Sequence, residues 1–174
     1  FNSSSSLDFY TVINANNDSY KWQLDSNWSP QYAKYAGSYY GTESDDWLVT
    51  PLFNLEAESV YCLTFDARIA SEGSGNEKQF AVYIGTAATT EAMTRELLQT
   101  VVSQSTDSTY TLYFSVEQTG KYNIGFYCGG TANNVSLYLD NVTLQESQLL
   151  PAAATDVTVV ADVNGALKAH VSWN

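Results

Sequence analysis

Val60-Tyr61-Cys62-Leu63-Thr64-Phe65-Asp66-Ala67-Arg68-Ile69 is the stretch on which the fold turns. Tyr61, Leu63, Phe65, Ala67 and Ile69 share one parity, and Cys62, Thr64, Asp66 and Arg68 share the other. Side chains of an extended backbone alternate between faces, so this segment lays an apolar row on a core and turns a polar row outward. The same alternation returns in Phe80-Val82-Ile84, Tyr110-Leu112-Phe114-Val116 and Tyr122-Ile124-Phe126-Cys128. Strands with one apolar face belong to antiparallel sheets. Gly73-Ser74-Gly75-Asn76, Thr119-Gly120 and residues 129–134 supply the turns between them. The chain therefore reads as all-β, an antiparallel two-sheet jelly-roll sandwich.

Two irregularities interrupt that pattern. Thr89 or Thr90 caps a short helix predicted through Glu91 to Leu98, with Met93 and Leu97 at i, i+4. In the strand from Val135 to Leu144 the apolar parity changes after Leu139, which places a bulge near Asp140-Asn141.

Composition narrows the chemistry. Seven Lys and Arg stand singly against 19 Asp and Glu, for a net charge of -12, which excludes nucleic-acid binding by clustered cations. A single histidine, His170, and two distant cysteines cannot build a structural zinc site or a CxxC redox pair. No apolar stretch is long enough to insert into a membrane. Carboxylate chemistry and hard-cation binding survive. A glycosidase-type acid pair drawn from Asp45, Asp46 and Asp66 is the enzymatic alternative, and it requires two acids facing one cleft.

Asn14, Asn16 and Asp18 place oxygen-bearing side chains at alternate positions between the apolar anchors Ile13 and Trp22. Such a loop either converges on calcium or closes as an Asx-rich turn without an ion. Trp28, Tyr32, Tyr35, Tyr39 and Tyr40 are a candidate aromatic ligand platform in an irregular segment, whereas Trp22 and Trp47 are expected in the core. Cys62 and Cys128 fall on opposite kinds of face, which favours two free thiols over a disulfide.

Residues 1–146 form the predicted sandwich, 147–154 a linker around Pro151-Ala152-Ala153-Ala154, and 155–174 a hairpin about Asp162-Val163-Asn164-Gly165. The final segment, with its leading Pro and late Trp173, resembles the start of a fibronectin type III domain and is read as an incomplete one.

Several motifs in order resemble the gingipain-type cleaved adhesin domain, grouped with the choice-of-anchor J and MAM-like jelly rolls. They are I-N-A-N-N-D-S-Y-K-W (13–22), D-D-W-L-V-T-P (45–51), Y-C-L-T-F-D-A-R (61–68), F-A-V-Y-I-G-T (80–86), T-G-K-Y-N-I-G-F (119–126) and L-Y-L-D-N-V (137–142). The resemblance covers roughly residues 7 to 145. It implies a non-catalytic adhesion or ligand-binding module of a larger protein, secreted or displayed on the surface of a Gram-negative bacterium. Its implied partners are a glycan or a host surface protein, beside the neighbouring domains of the parent chain. It also implies a stabilising calcium held by Asn14, Asn16, Asp18 and Asp140, with Glu43, Asp45 and Asp46 nearby. A carbohydrate-binding module of a secreted glycan-degrading enzyme, and a structural spacer, are the alternative readings.

Overall fold

The computed structural model describes residues 7–25, 31–37, 42–130, 133–147, 157–161 and 167–171. Eleven strands build two sheets. They are β1 (Thr11–Asn14), β2 (Trp22–Asp25), β3 (Tyr32–Tyr35), β4 (Ser44–Val49), β5 (Phe53–Leu55), β6 (Tyr61–Ile69), β7 (Lys78–Gly85), β8 (Arg95–Val102), β9 (Ser108–Phe114), β10 (Gly120–Gly130) and β11 (Leu137–Glu146). One sheet runs β1-β4-β10-β7-β8, with β5 also paired to β10, and the other runs β2-β3-β11-β6-β9. Every pairing between these strands is antiparallel. Successive segments of chain cross from one sheet to the other, the jelly-roll arrangement the alternation predicts.

The apolar parity identified in the sequence is the inner face. Phe65 from one sheet meets Phe80 and Phe126 from the other, at ring-centroid distances of 5.7 and 5.4 Å, and all three are essentially without solvent exposure. Leu63, Ile69, Leu137, Leu139, Leu48, Val82 and Ile124 fill the layer around them, with Trp22 and Tyr35 at one end. Aromatic groups of this size supply most of the apolar area a two-sheet core removes from water.

The bulge predicted near Asp140-Asn141 is present: the pairing of β11 with β6 shifts between Asp140 and Thr143, and Asn141 adopts φ +52°. Asn tolerates that left-handed conformation better than most residues. The predicted helix is shorter than expected. Thr89 caps a single 3-10 turn at Thr90–Ala92, accepting from the Ala92 N–H, and Arg95 through Leu98 then enter β8. Pairing of β8 with β7 overrides the weak i, i+4 helical signal of Met93 and Leu97. Both cysteines are buried free thiols, Cys128 within the core and Cys62 on the polar parity of β6.

The predicted terminal hairpin is also found, as β12 (Val157–Ala161) paired with β13 (Leu167–Val171), while the turn residues 162–165 and Trp173 lie outside the described residues. Among the described residues no helix is long and apolar enough to cross a membrane.

Candidate ligand-binding face

Strands β4, β10 and β7 send alternate residues away from the core, and those residues form a second aromatic layer in which Trp47, Val49 and Ala81 are buried and only Tyr83 and Tyr127 are half-buried. Leu48, Phe126 and Val82 point inward, so Trp47, Tyr127 and Ala81, aligned across the three strands, point outward. One step along, Val49, Gly125 and Tyr83 form the next row, and Asp45, Gly129 and Gln79 the row on the other side. Trp47 lies 4.7 Å from Tyr127 and 5.1 Å from Tyr83 between ring centroids. Trp47 is thus buried as expected, but in a separate cluster with Val49 and Met93 instead of the layer between the sheets.

Glycines let these rings lie down on the sheet. A Cβ at position 125 would sit 3.0 Å from Met93 Sδ and 3.1 Å from Trp47 Cε3, and one at 129 would sit 2.4 Å from Tyr127 Cε1. With hydrogen there instead, the aromatic side chains fold flat over their small neighbours.

At the Asp45 end this surface runs into a groove of about 600 Å³ lined by Asn16, Glu43, Asp45, Gln79 and Tyr127, with Thr42, Ser44 and Gly130 completing it. Burial, then the hydrogen-bonded Asp45 carboxylate, push the Tyr127 hydroxyl up to about 12. Tyr83 Oη donates to Glu96 Oε2 at 3.2 Å. The groove therefore presents an aromatic edge beside carboxylates, amides and hydroxyls, the combination that binds a polyhydroxylated ring on both its apolar and polar sides.

Beneath the groove wall, Asp46 points inward and is fully buried. Burial, opposed by the Asp45 N–H and reinforced by Asp18, holds its carboxyl up at about 7. Its Oδ1 has no hydrogen-bond partner among the described residues. Lys78 is buried in the same region, its Nζ donating to Ser44 Oγ at 3.1 Å, and burial lowers its pKa.

The sequence-predicted site residues separate into three groups. Asn14, Asn16 and Asp18 do converge. Asn14 Nδ2 donates to the Asp18 carbonyl at 2.6 Å, Asn16 Nδ2 donates to Asp18 Oδ2 at 3.2 Å and to the Glu43 carbonyl at 2.6 Å, and Asp18 Oδ1 accepts the Tyr20 N–H at 2.6 Å. Asn14 Oδ1 and Asn16 Oδ1 each accept the Asp18 N–H at 3.2 Å, which closes the loop as an Asx-rich turn; a cation held by Asn14, Asn16, Asp18 and the Glu43 carbonyl would have to displace those bonds. That donor set holds only one carboxylate, and among the described residues no group of three or more His, Cys, Asp or Glu is placed to share a metal ion.

Asp140 does not join that loop. Trp22, Tyr35 and Leu137 lie in register across β2, β3 and β11, which puts Asp18 beyond one end of the strands while Asp140 sits three residues, about 10 Å, toward the other. Its carboxylate instead adjoins Tyr10, whose hydroxyl is raised by burial and then by Asp140. The bulge turns Asn141 toward Asp66, with Nδ2 donating to Oδ2 at 2.7 Å.

The aromatic platform is also redistributed. Tyr35 is fully buried in the core and is not a surface ligand residue, because its register partners Trp22 and Leu137 point inward with it. Tyr32 lies on the outer face of the other sheet, where the Arg68 guanidinium stands 4.7 Å from its ring and 4.2 Å from that of Tyr138, and Arg68 Nε pairs with Asp107 at 3.1 Å. Trp28, Tyr39 and Tyr40 lie outside the described residues. The acids weighed for glycosidase chemistry do not face one cleft: Asp45 and Asp46 project to opposite faces of β4, and Asp66 belongs to the other sheet.

No family model and no curated protein matches the sequence. Solved structures do match in fold. The K3 cleaved adhesin domain of Lys-gingipain from Porphyromonas gingivalis W83 superposes with a TM-score of 0.64 at 19% identity, covering 83% of this chain and 95% of that one. The K1 domain of the same protein gives 0.61 at 17% identity, covering 79% and 90%. The CBM22-1 xylan-binding domain of Paenibacillus barcinonensis Xyn10C gives 0.55 at 10% identity, covering 79% and 85%. The chain thus has the jelly-roll fold shared by cleaved adhesin domains and carbohydrate-binding modules, in agreement with the resemblance carried by its motifs.

Proposed function

We propose that this chain is a non-catalytic, glycan-binding adhesion module of a larger protein, secreted or displayed on the surface of a Gram-negative bacterium. The observation that carries the reading is the half-buried pair Tyr83 and Tyr127, packed over the buried Trp47, beside a groove lined by carboxylates and amides. Its fold likeness to adhesin and xylan-binding domains supports the same class, since fold alone leaves the ligand to be argued from the site. Tyr83 and Tyr127 supply apolar faces against sugar rings, and Asp45, Gln79 and Asn16 accept from or donate to sugar hydroxyls.

A calorimetric titration with neutral β-linked oligosaccharides is expected to give saturable binding in the micromolar to millimolar range. Absence of any heat across such a panel would remove the reading.

The opening loop is the place for calcium, held by Asn14, Asn16, Asp18 and the Glu43 carbonyl. With a single carboxylate its affinity is low, because fewer anionic oxygens offset the cost of dehydrating the ion. Millimolar calcium is expected to raise the melting temperature by about 1 to 3 °C over chelator, and Asn16→Asp to enlarge that rise. An identical melt in both, for the parent and for Asn16→Asp alike, would exclude calcium from the loop.

A further inference from the structure

Within the glycan-binding reading above, the charge of the groove selects among glycans: we infer that it takes chains without anionic substituents and favours protonated amino sugars over their N-acetylated forms. Glu43 and Asp45 both line the groove, and among the described residues lining it none is Lys or Arg. Lys78, adjacent in sequence to the lining residue Gln79, points the other way and is buried against Ser44 and the Tyr35 ring. Enclosed there, it makes no direct contact with a ligand in the groove.

The Tyr127 hydroxyl, held up by burial and by its hydrogen bond with Asp45, adds no cation. In chelator, with no calcium on Asn16 and the Glu43 carbonyl, an anionic sugar in the groove meets two carboxylates and, among the described lining residues, no Lys or Arg, in a molecule whose overall charge is -12. Juxtaposing like charges selects against a ligand that carries them. An ammonium group in the same place meets two acceptors.

The basic side chains that could attract an anion are elsewhere. Arg68 and Lys34 stand on the outer face of the opposite sheet, already paired with Asp107 at 3.1 Å and Asp25 at 3.6 Å. Arg95 lines a smaller pocket with Glu117 and Tyr122. Arg95 and the exposed Lys121 belong to the groove's own sheet, but they stand near the starts of β8 and β10, away from Gly130 at the end of β10 that lines the groove.

The test titrates the full chain, in chelator, with three probes at about pH 5.5, where free Glu and Asp side chains are ionised and amino-sugar amines are largely protonated. The probes are a glucosamine hexamer, the matching N-acetylglucosamine hexamer and a heparin hexasaccharide. The glucosamine hexamer is expected to bind about tenfold more tightly than its N-acetylated counterpart, with no measurable heparin binding. Glu43→Gln and Asp45→Asn should each reduce that ratio severalfold, and high salt should flatten it.

Equal affinity for the two hexamers, or a ratio unmoved by Glu43→Gln and Asp45→Asn, would overturn the inference while leaving glycan binding intact. Heparin binding abolished by Arg68→Ala would overturn it by moving the ligand to the other sheet. If the hexamers, heparin and the neutral panel all fail to bind, the underlying reading falls as well.

Discussion

Tyr127→Ala is expected to lower affinity for a neutral oligosaccharide by about thirtyfold, the scale of removing a central aromatic anchor from a binding surface. The ring lies flat along the outer face of β10, beside Trp47, with its hydroxyl on Asp45 at the groove edge. Removing it takes away both the stacking surface and one polar contact. Tyr127→Phe separates the two, since it keeps the ring and gives up only the hydroxyl, with an expected loss of about threefold to tenfold. Thermal unfolding of both variants shows whether the fold survives. A Tyr127→Ala protein that melts like the parent and binds like the parent would place the ligand elsewhere.

Stability is expected to fall as the pH rises from about 4 to about 7, and Asp46 is the cause. Its folded pKa, about 7, lies above the ordinary carboxylate value of 3.8 because burial penalises the charge. The folded state therefore binds a proton more tightly than the unfolded chain. The stabilisation is fully present below the unfolded value and disappears as the pH passes through the folded one. For a carboxyl with no solvent exposure the change is on the order of 2 to 4 kcal/mol across that window.

Asp46→Asn, neutral throughout, should match the parent near pH 4 and exceed it by a similar amount near pH 8, measured by denaturant unfolding in chelator. Chelator matters because a cation at neighbouring Asp18 would favour the ionised Asp46. Parallel pH profiles for the two proteins would contradict this account of the buried acid.

Most of the fold was legible in the sequence because burial follows parity. Phe65, Phe80 and Phe126 each stand in a run whose alternate residues are apolar, and each ends between the sheets. The bulge was legible for the same reason, as a parity break after Leu139. The helix at Glu91 to Leu98 was misread because two apolar residues four apart also fit a loop followed by an edge strand, and only the pairing of β8 with β7 decides between them.

The site was less legible, although its signal was present. Once Phe80, Val82, Ile84, Phe126 and Cys128 are assigned inward, Tyr83 and Tyr127 must point outward, and the spacing Gly125-Tyr127-Gly129 marks a ring with room to lie flat. Trp47 shares that outward parity, and it is buried in the cluster with Val49 and Met93 and not between the sheets. Attention to local aromatic density led instead to residues 28–40, where Tyr35 proves to be buried. Convergence of Asn14, Asn16 and Asp18 followed from spacing within one loop. The position of Asp140 depended on the register of three strands, which no local pattern specifies.

Chemical-shift mapping of the labelled full chain during titration with a neutral oligosaccharide tests the central claim most directly, because it locates the ligand without presuming a residue. The account predicts shifts concentrated at the Trp47 indole, Tyr83, Tyr127, Asp45 and Gln79. Shifts confined to Tyr32, Arg68 and Tyr138 on the opposite sheet, with the Trp47 indole unmoved, would contradict it.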